Sequence, residues 1–121
     1  LEKIKLPKTG SHGDFHEENI ILKQNNEIKI IDWRNYRENS SILYDLLHIN
    51  VRRVCENQKI QWTDAVLNYN KIFFELLENI QYDPEILKIF YSLMTIDLEL
   101  TLNDNDNIKI NKFKKFLDKL N

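Results

Sequence analysis

The chain predicts an α+β, mainly α fold, with one small β-hairpin followed by about four helices. Two short β-branched stretches flanking a polar run point to the hairpin, and beyond residue 41 apolar residues recur at helical spacing. At 121 residues the length is that of one domain, large enough for a core of its own, so residues 1–121 are expected to form a single domain.

The first stretch, Leu1 to Ser11, carries Pro7 and Gly10 and reads as the tail of a preceding element followed by a turn. Asn19 to Lys23 and Ile28 to Ile31 read as two strands, and Gln24-Asn25-Asn26-Glu27 between them is a hairpin connection. Such a hairpin brings Asn19, at the start of one strand, beside Asp32, at the end of its antiparallel partner. From Arg34 to Ser41 the sequence is polar and irregular, and its terminal hydroxyls suit a helix cap.

A helix is predicted from there to about Glu56. Leu43, Leu46, Leu47, Val51 and Val54 form its apolar stripe, while Asp45, His48 and Arg52 share another face. A second helix is expected from Thr63, as cap, through Val66, Leu67, Tyr69, Ile72, Phe73, Leu76 and Leu77 to Ile80. Asp83-Pro84 opens a third, with proline at the first helical position, where a missing N–H matters least. Ile86, Leu87, Ile89, Phe90, Leu93, Met94, Leu98 and Leu102 predict heavy burial there. After the polar break Asn103 to Asn107, Ile110, Phe113, Leu117 and Leu120 mark a final amphipathic helix, whose lysines complement its C-terminal dipole. The apolar periodicity persists through the Asn- and Lys-rich composition, and no internal repeat is visible.

Seventeen basic and nineteen acidic residues, a formal net charge of −2, give no sign of a nucleic-acid or membrane-surface partner. There is no apolar run of membrane-spanning length and no secretory leader in the sequence given. Cys55 is the single cysteine, so no internal disulfide is possible, which suits a reducing, cytoplasmic location.

The chemistry concentrates in His12-Gly13-Asp14-Phe15-His16-Glu17-Glu18-Asn19 and in Ile31-Asp32-Trp33. A carboxylate and an amide share one loop, and a second carboxylate ends a strand soon after. Those are the groups required by a magnesium–nucleotide site. Asp14 is the candidate catalytic base for an acceptor hydroxyl, and Asn19 and Asp32 are candidate Mg²⁺ ligands through hard oxygen atoms. Two histidines four apart, His12 and His16, raise the idea of a zinc site on a helix, but Gly13 argues against a helix there. They read instead as buried supports of the loop. Glu17 and Glu18 are expected to face solvent.

The same residues resemble the aminoglycoside phosphotransferase and choline kinase group, relatives of the protein kinases. The loop H-G-D-x-H-x-x-N of that group is matched by His12, Gly13, Asp14, His16 and Asn19, and its I-D-W or I-D-F by Ile31-Asp32-Trp33. Protein kinases carry H-R-D-x-x-x-x-N followed by D-F-G, with the first Asp orienting the acceptor and Asn and the second Asp holding Mg²⁺. The resemblance covers Ser11 to about Ile49 and leaves the helical remainder without a signature.

It implies the C-terminal lobe of a kinase-like fold, from a phosphotransferase that moves the γ-phosphoryl group of ATP or GTP, as co-substrate, to a hydroxyl of a small molecule or saccharide. It also implies an upstream nucleotide-binding lobe. Only a few residues precede His12, and the chain starts at Leu1, so a fragment lacking that lobe, and by itself inactive, is expected. Gly13 stands where many protein kinases have Arg, which removes the residue that reads activation-loop phosphorylation. In Tyr44-Asp45-Leu46-Leu47, Asp45 matches the acid that supports the catalytic loop in the wider fold, against the ordinary reading of a first-turn helix acid.

Arg34 departs from the group, where a small or acidic residue is common. It is a candidate to pair with Asp32, to touch a phosphate, or to select an anionic acceptor. Arg37, His48 and Arg52 are either acceptor-cleft residues or solvated ones. Tyr36, Trp62, Tyr69 and Tyr91 are read as core in preference to ligand-stacking rings. The alternative to an enzyme is a non-catalytic, pseudokinase-like module that binds nucleotide or a partner.

Overall fold

Ile20, Ile21 and Leu22 pair antiparallel with Ile30, Lys29 and Ile28, so the β-branched stretches form β1 (Ile20–Leu22) and β2 (Ile28–Ile30) of a two-stranded sheet. This computed structural model describes residues 6–69, 71–74, 82–102 and 107–120. The expected positions Leu1 to Lys5, Leu76, Leu77, Ile80 and Asn103 to Asp106 lie outside the described residues. The hairpin closes through Lys23 N–H on the Glu27 carbonyl (2.8 Å) and Asn26 N–H on the Lys23 carbonyl (3.0 Å), with Asn26 in the left-handed region at φ 64°. Asparagine tolerates that conformation because its short polar side chain bonds locally.

Each strand is one residue shorter than expected at the end nearer the site. Asn19 ends a 3-10 turn, Glu17–Asn19, although its carbonyl still accepts the Ile31 N–H at 2.9 Å. Before the loop, Ser11 and Arg37 exchange a pair of backbone hydrogen bonds of 2.8 and 2.9 Å, and Thr9 N–H reaches the Ser40 carbonyl. That bridge ties both ends of residues 12–36 together.

Helix α1 (Ile42–Gln58) begins where the hydroxyl residues ended. Ser41 Oγ accepts the Leu43 N–H at 3.3 Å, and the Thr9 hydroxyl accepts the Ile42 N–H at 2.8 Å, so two orphan donors of the first turn are satisfied. Leu43, Tyr44, Leu47 and Val51 are buried; Leu46, expected on the same stripe, is exposed. By its contacts the chain divides into two compact units, Leu1–Arg53 and Val54–Asn121.

In the second unit, the predicted long helix from Thr63 to Ile80 is interrupted. Helix α2 (Trp62–Asn68) ends at Tyr69, whose φ and ψ of −117° and 64° are not helical, and α3 (Lys71–Phe74) follows. Asn68, Tyr69 and Asn70 are weak helix formers, so the periodic apolar pattern does not hold one continuous helix there. The cap is Gln61, and Thr63 lies buried inside the helix.

Helix α4 (Pro84–Leu102) starts as predicted, with the Asp83 carboxylate accepting the Glu85 N–H at 2.9 Å. Its burial is narrower than its composition suggested: Leu87, Tyr91, Ile96 and Leu98 are buried, while Ile89 and Leu93 are exposed. A helix in a small unit can cover only one side of itself. Helix α5 (Asn107–Leu120) buries Phe113 and Phe116. The Trp62 ring meets Tyr91 at 6.2 Å and Phe116 at 5.1 Å, both edge to face, and its indole N–H donates to Glu99 at 3.0 Å. Tyr91 thus sits in the core as expected, and Trp62 packs against it while staying partly exposed. Tyr36 is not in the core; it is half exposed. Among the described residues, no helix is long and apolar enough to cross a membrane.

Candidate functional site

The loop from Ser11 to Asn19 is shaped by a glycine and held by two buried side chains. Gly13 has φ +90°, and a Cβ there would overlap the Asn35 carbonyl oxygen and lie 2.8 Å from the Asn35 carbonyl carbon. Only glycine fits so close a backbone crossing with that dihedral. Asp45, on the first turn of α1 and 8% exposed, accepts the His12 N–H on Oδ2 at 2.9 Å, and on Oδ1 the Gly13 N–H and the Ser11 hydroxyl, both at 3.1 Å. One carboxylate thereby supplies the acceptors for two buried backbone donors that no strand or helix satisfies.

His12 is buried and bridges the two chemical segments. Its Nδ1 accepts the Asp14 N–H at 3.2 Å, which leaves Nε2–H to donate to the Ile31 carbonyl at 2.8 Å. The ring also packs on Trp33 with centroids 4.5 Å apart. His12 therefore links the backbone of Asp14 to the residue before Asp32. His16 is buried as well, with Nε2 3.3 Å from the Asn19 amide nitrogen and 3.5 Å from Asp14 Oδ2.

Asp14 projects from this loop with about a third of its side chain exposed. Its Oδ1 lies 3.1 Å from His48 Nε2 on α1. That hydrogen bond is the main reason its carboxyl falls from 3.8 to about 2, against the opposing effect of burial and with help from the charges of His48, His16 and Arg52. Asn19 is buried, and its amide nitrogen donates to the Asp14 carbonyl at 2.8 Å. With its nitrogen so committed, the side-chain oxygen is the group Asn19 retains for a ligand.

Asp32 follows β2 in the left-handed region at φ 59°, a conformation uncommon for a residue other than glycine and enriched at functional sites. Arg34 grips it through both oxygens, Nε to Oδ1 at 2.7 Å and a terminal nitrogen to Oδ2 at 3.0 Å. The guanidinium holds the Asp32 carboxyl below its usual value, while the charge of Asp14 pushes the other way. Arg34 is itself mostly exposed, so the pair lies in water and is not locked by packing.

The donor atoms of Asn19 and Asp32 are oxygens, the chemistry that Mg²⁺ prefers. Among the described residues, no group of three or more His, Cys, Asp or Glu side chains is placed to hold a metal ion. Glu17 faces solvent and pairs with Arg53. Beside the loop, Trp33, Tyr36, Phe15, Ile42 and Leu46 line a mainly apolar cavity of about 320 Å³ that shares His12 and Asp45 with the loop.

Sequence reasoning left His48 undecided between cleft and solvent, and the structure places it on Asp14. The signal was present: His48 follows Asp45 by three residues, so once Asp45 docks on the loop, His48 must lie one helical turn further along it. Arg52 shares that face. Compared with protein-family models, with curated proteins and with solved structures, the chain gave no match in any of the three.

Proposed function

We propose that this chain is the catalytic part of a kinase-like phosphotransferase, which moves the γ-phosphoryl group of ATP or GTP to a hydroxyl of a small molecule or saccharide. The observation that carries this reading is the placement of Asp14: an accessible carboxylate on a loop whose backbone is tied to α1 and to the residue before Asp32. Such a group orients an acceptor hydroxyl and takes up its proton as the oxygen attacks phosphorus. Asn19 and Asp32 offer the oxygens that would hold Mg²⁺. The ion would neutralise charge on the nucleotide phosphates. The rest of the catalysis attributed to these residues is positioning: Asp45 and His12 fix the loop, and the loop fixes Asp14.

A second reading is favoured by Arg34. It occupies both oxygens of Asp32, the place a metal ion would take, as expected of a pseudokinase-like module that binds without transferring. The two readings part in one experiment on the complete gene product. Phosphoryl transfer from ATP and GTP is measured over sugars, aminoglycosides and amino alcohols, with Asp14→Asn and Arg34→Ala beside the wild type. Transfer to one acceptor that falls by about 10²- to 10⁴-fold in Asp14→Asn supports the enzyme. Transfer that survives Asp14→Asn overturns it. Nucleotide binding without transfer, in the wild type and in Arg34→Ala alike, establishes the binding module.

A further inference from the structure

We propose that His48 is a positioning residue for Asp14, holding one carboxylate oxygen so that the other is presented to the acceptor hydroxyl. This inference rests on the phosphotransferase reading above and adds to it a residue outside the loop motif.

Three features of the structure converge on His48. Its Nε2 lies 3.1 Å from Asp14 Oδ1, and the ring is only 10% exposed, so water competes little for that bond. The imidazole is stacked on Tyr44 with centroids 5.4 Å apart and planes within 16°, which fixes the ring's orientation. Both rings stand on α1, and Tyr44 is 1% exposed, so the stack has a rigid base. An ionised carboxylate can only accept, so the proton of this bond is carried by His48 Nε2.

The geometry gives α1 two grips on the loop. Asp45 holds the backbone at His12 and Gly13, and His48, one turn later, holds the side chain of Asp14. A carboxylate otherwise rotates about its last torsion with little resistance. With Oδ1 engaged by His48, Oδ2 remains for the acceptor's proton, with His16 Nε2 3.5 Å away. Backbone support alone would leave that torsion free. His48 removes the freedom.

The test uses the complete gene product with His48→Ala and His48→Gln, the latter keeping an N–H donor on a flexible chain. With an acceptor that the wild type phosphorylates, His48→Ala is expected to lower kcat by about 10- to 100-fold with KM for nucleotide and acceptor nearly unchanged, the loss typical of a misaligned catalytic group. His48→Gln is expected to recover most of it. Carbon NMR of the Asp14 carboxyl gives a readout independent of turnover: its midpoint rises from about 2 in His48→Ala and rises less in His48→Gln. Thermal unfolding of the three proteins identifies any variant that has lost its fold, and the Asp14→Asn protein sets the floor of activity. An active wild type with an equally active His48→Ala overturns the role of His48 and leaves the phosphotransferase reading intact. A wild type that transfers nothing overturns both, and the carbon titration then shows the hydrogen bond to be structural only.

Discussion

Removing the Asp45 carboxylate should detach the loop from α1, and the size of the effect follows from what it leaves behind. In Asp45→Ala the Ser11 hydroxyl can rotate to another partner, but the His12 and Gly13 N–H groups cannot, because their backbone is held by the Ser11–Arg37 bridge and by the close crossing with Asn35. Each buried donor left without an acceptor costs about 1–3 kcal/mol, so the two together amount to about 2–6 kcal/mol. That approaches the whole stability of a small domain, about 5–15 kcal/mol. Asp45→Asn keeps one oxygen. Placed at the Oδ1 position it retains Ser11 and Gly13 and turns its NH₂ toward the His12 donor, which puts its cost nearer a single orphan, about 1–3 kcal/mol.

Urea unfolding followed by the fluorescence of Trp33, in a Trp62→Phe background, measures both values. Amide hydrogen exchange at His12 and Gly13 reports the same loss locally, and those two amides should exchange far faster in Asp45→Ala than those in the middle of α1. The order expected is alanine worse than asparagine, and asparagine worse than wild type. If Asp45→Ala unfolds within about 0.5 kcal/mol of wild type and the two amides stay protected, the carboxylate is not what holds the loop.

The remaining expectations concern the glycines and acid. Gly13→Ala combines a left-handed dihedral, about 1–2 kcal/mol, with overpacking against Asn35, about 1–3 kcal/mol, and should destabilise by about 2–5 kcal/mol in the same unfolding assay. Gly10→Ala should cost less despite φ +75°, because its nearest obstacle, 3.0 Å away, is the hydroxyl of the half-exposed Tyr36, which can move; equal costs would contradict the steric account. The Asp14 carboxyl lies below its unfolded value, 3.8 lowered to about 2, so the stability it contributes is present above about pH 4 and is lost as the pH falls through 2. Unfolding between pH 5 and 2 should therefore show an acid loss that shrinks in Asp14→Asn, and an unchanged acid limb would refute the assignment.

Residues close in sequence were legible where chemistry and spacing agree over a few positions. The hairpin followed from β-branched runs around a polar turn, and the Asp83 cap followed from Asp-Pro before an apolar repeat. The loop of His12 to Asn19 stood out because its groups lie within eight residues. Thr63 and Tyr69 mark the opposite case. An apolar pattern with period 3.6 passes straight through a break, since the period records which side is buried and not whether the backbone stays helical. Phe116 was absent from the expected stripe of α5 for a related reason: a helix face is wide, and its rim is decided by the neighbours it meets.

The sequence by itself determined the local elements, the loop that carries Asp14 and Asn19, and the hairpin that returns the chain to Asp32. Periodicity also determined that Asp45, His48 and Arg52 share one face of α1. What that face meets was decided only by tertiary structure, because hydrogen bonds spanning 32–34 residues between the loop and α1 leave no periodic trace in the chain. The same holds for the Asn35 backbone under Gly13, for the exposure of Tyr36, Ile89 and Leu93, and for the grip of Arg34 on Asp32. Spacing tells which side chains travel together; burial and partner depend on which surfaces the folded chain brings against them.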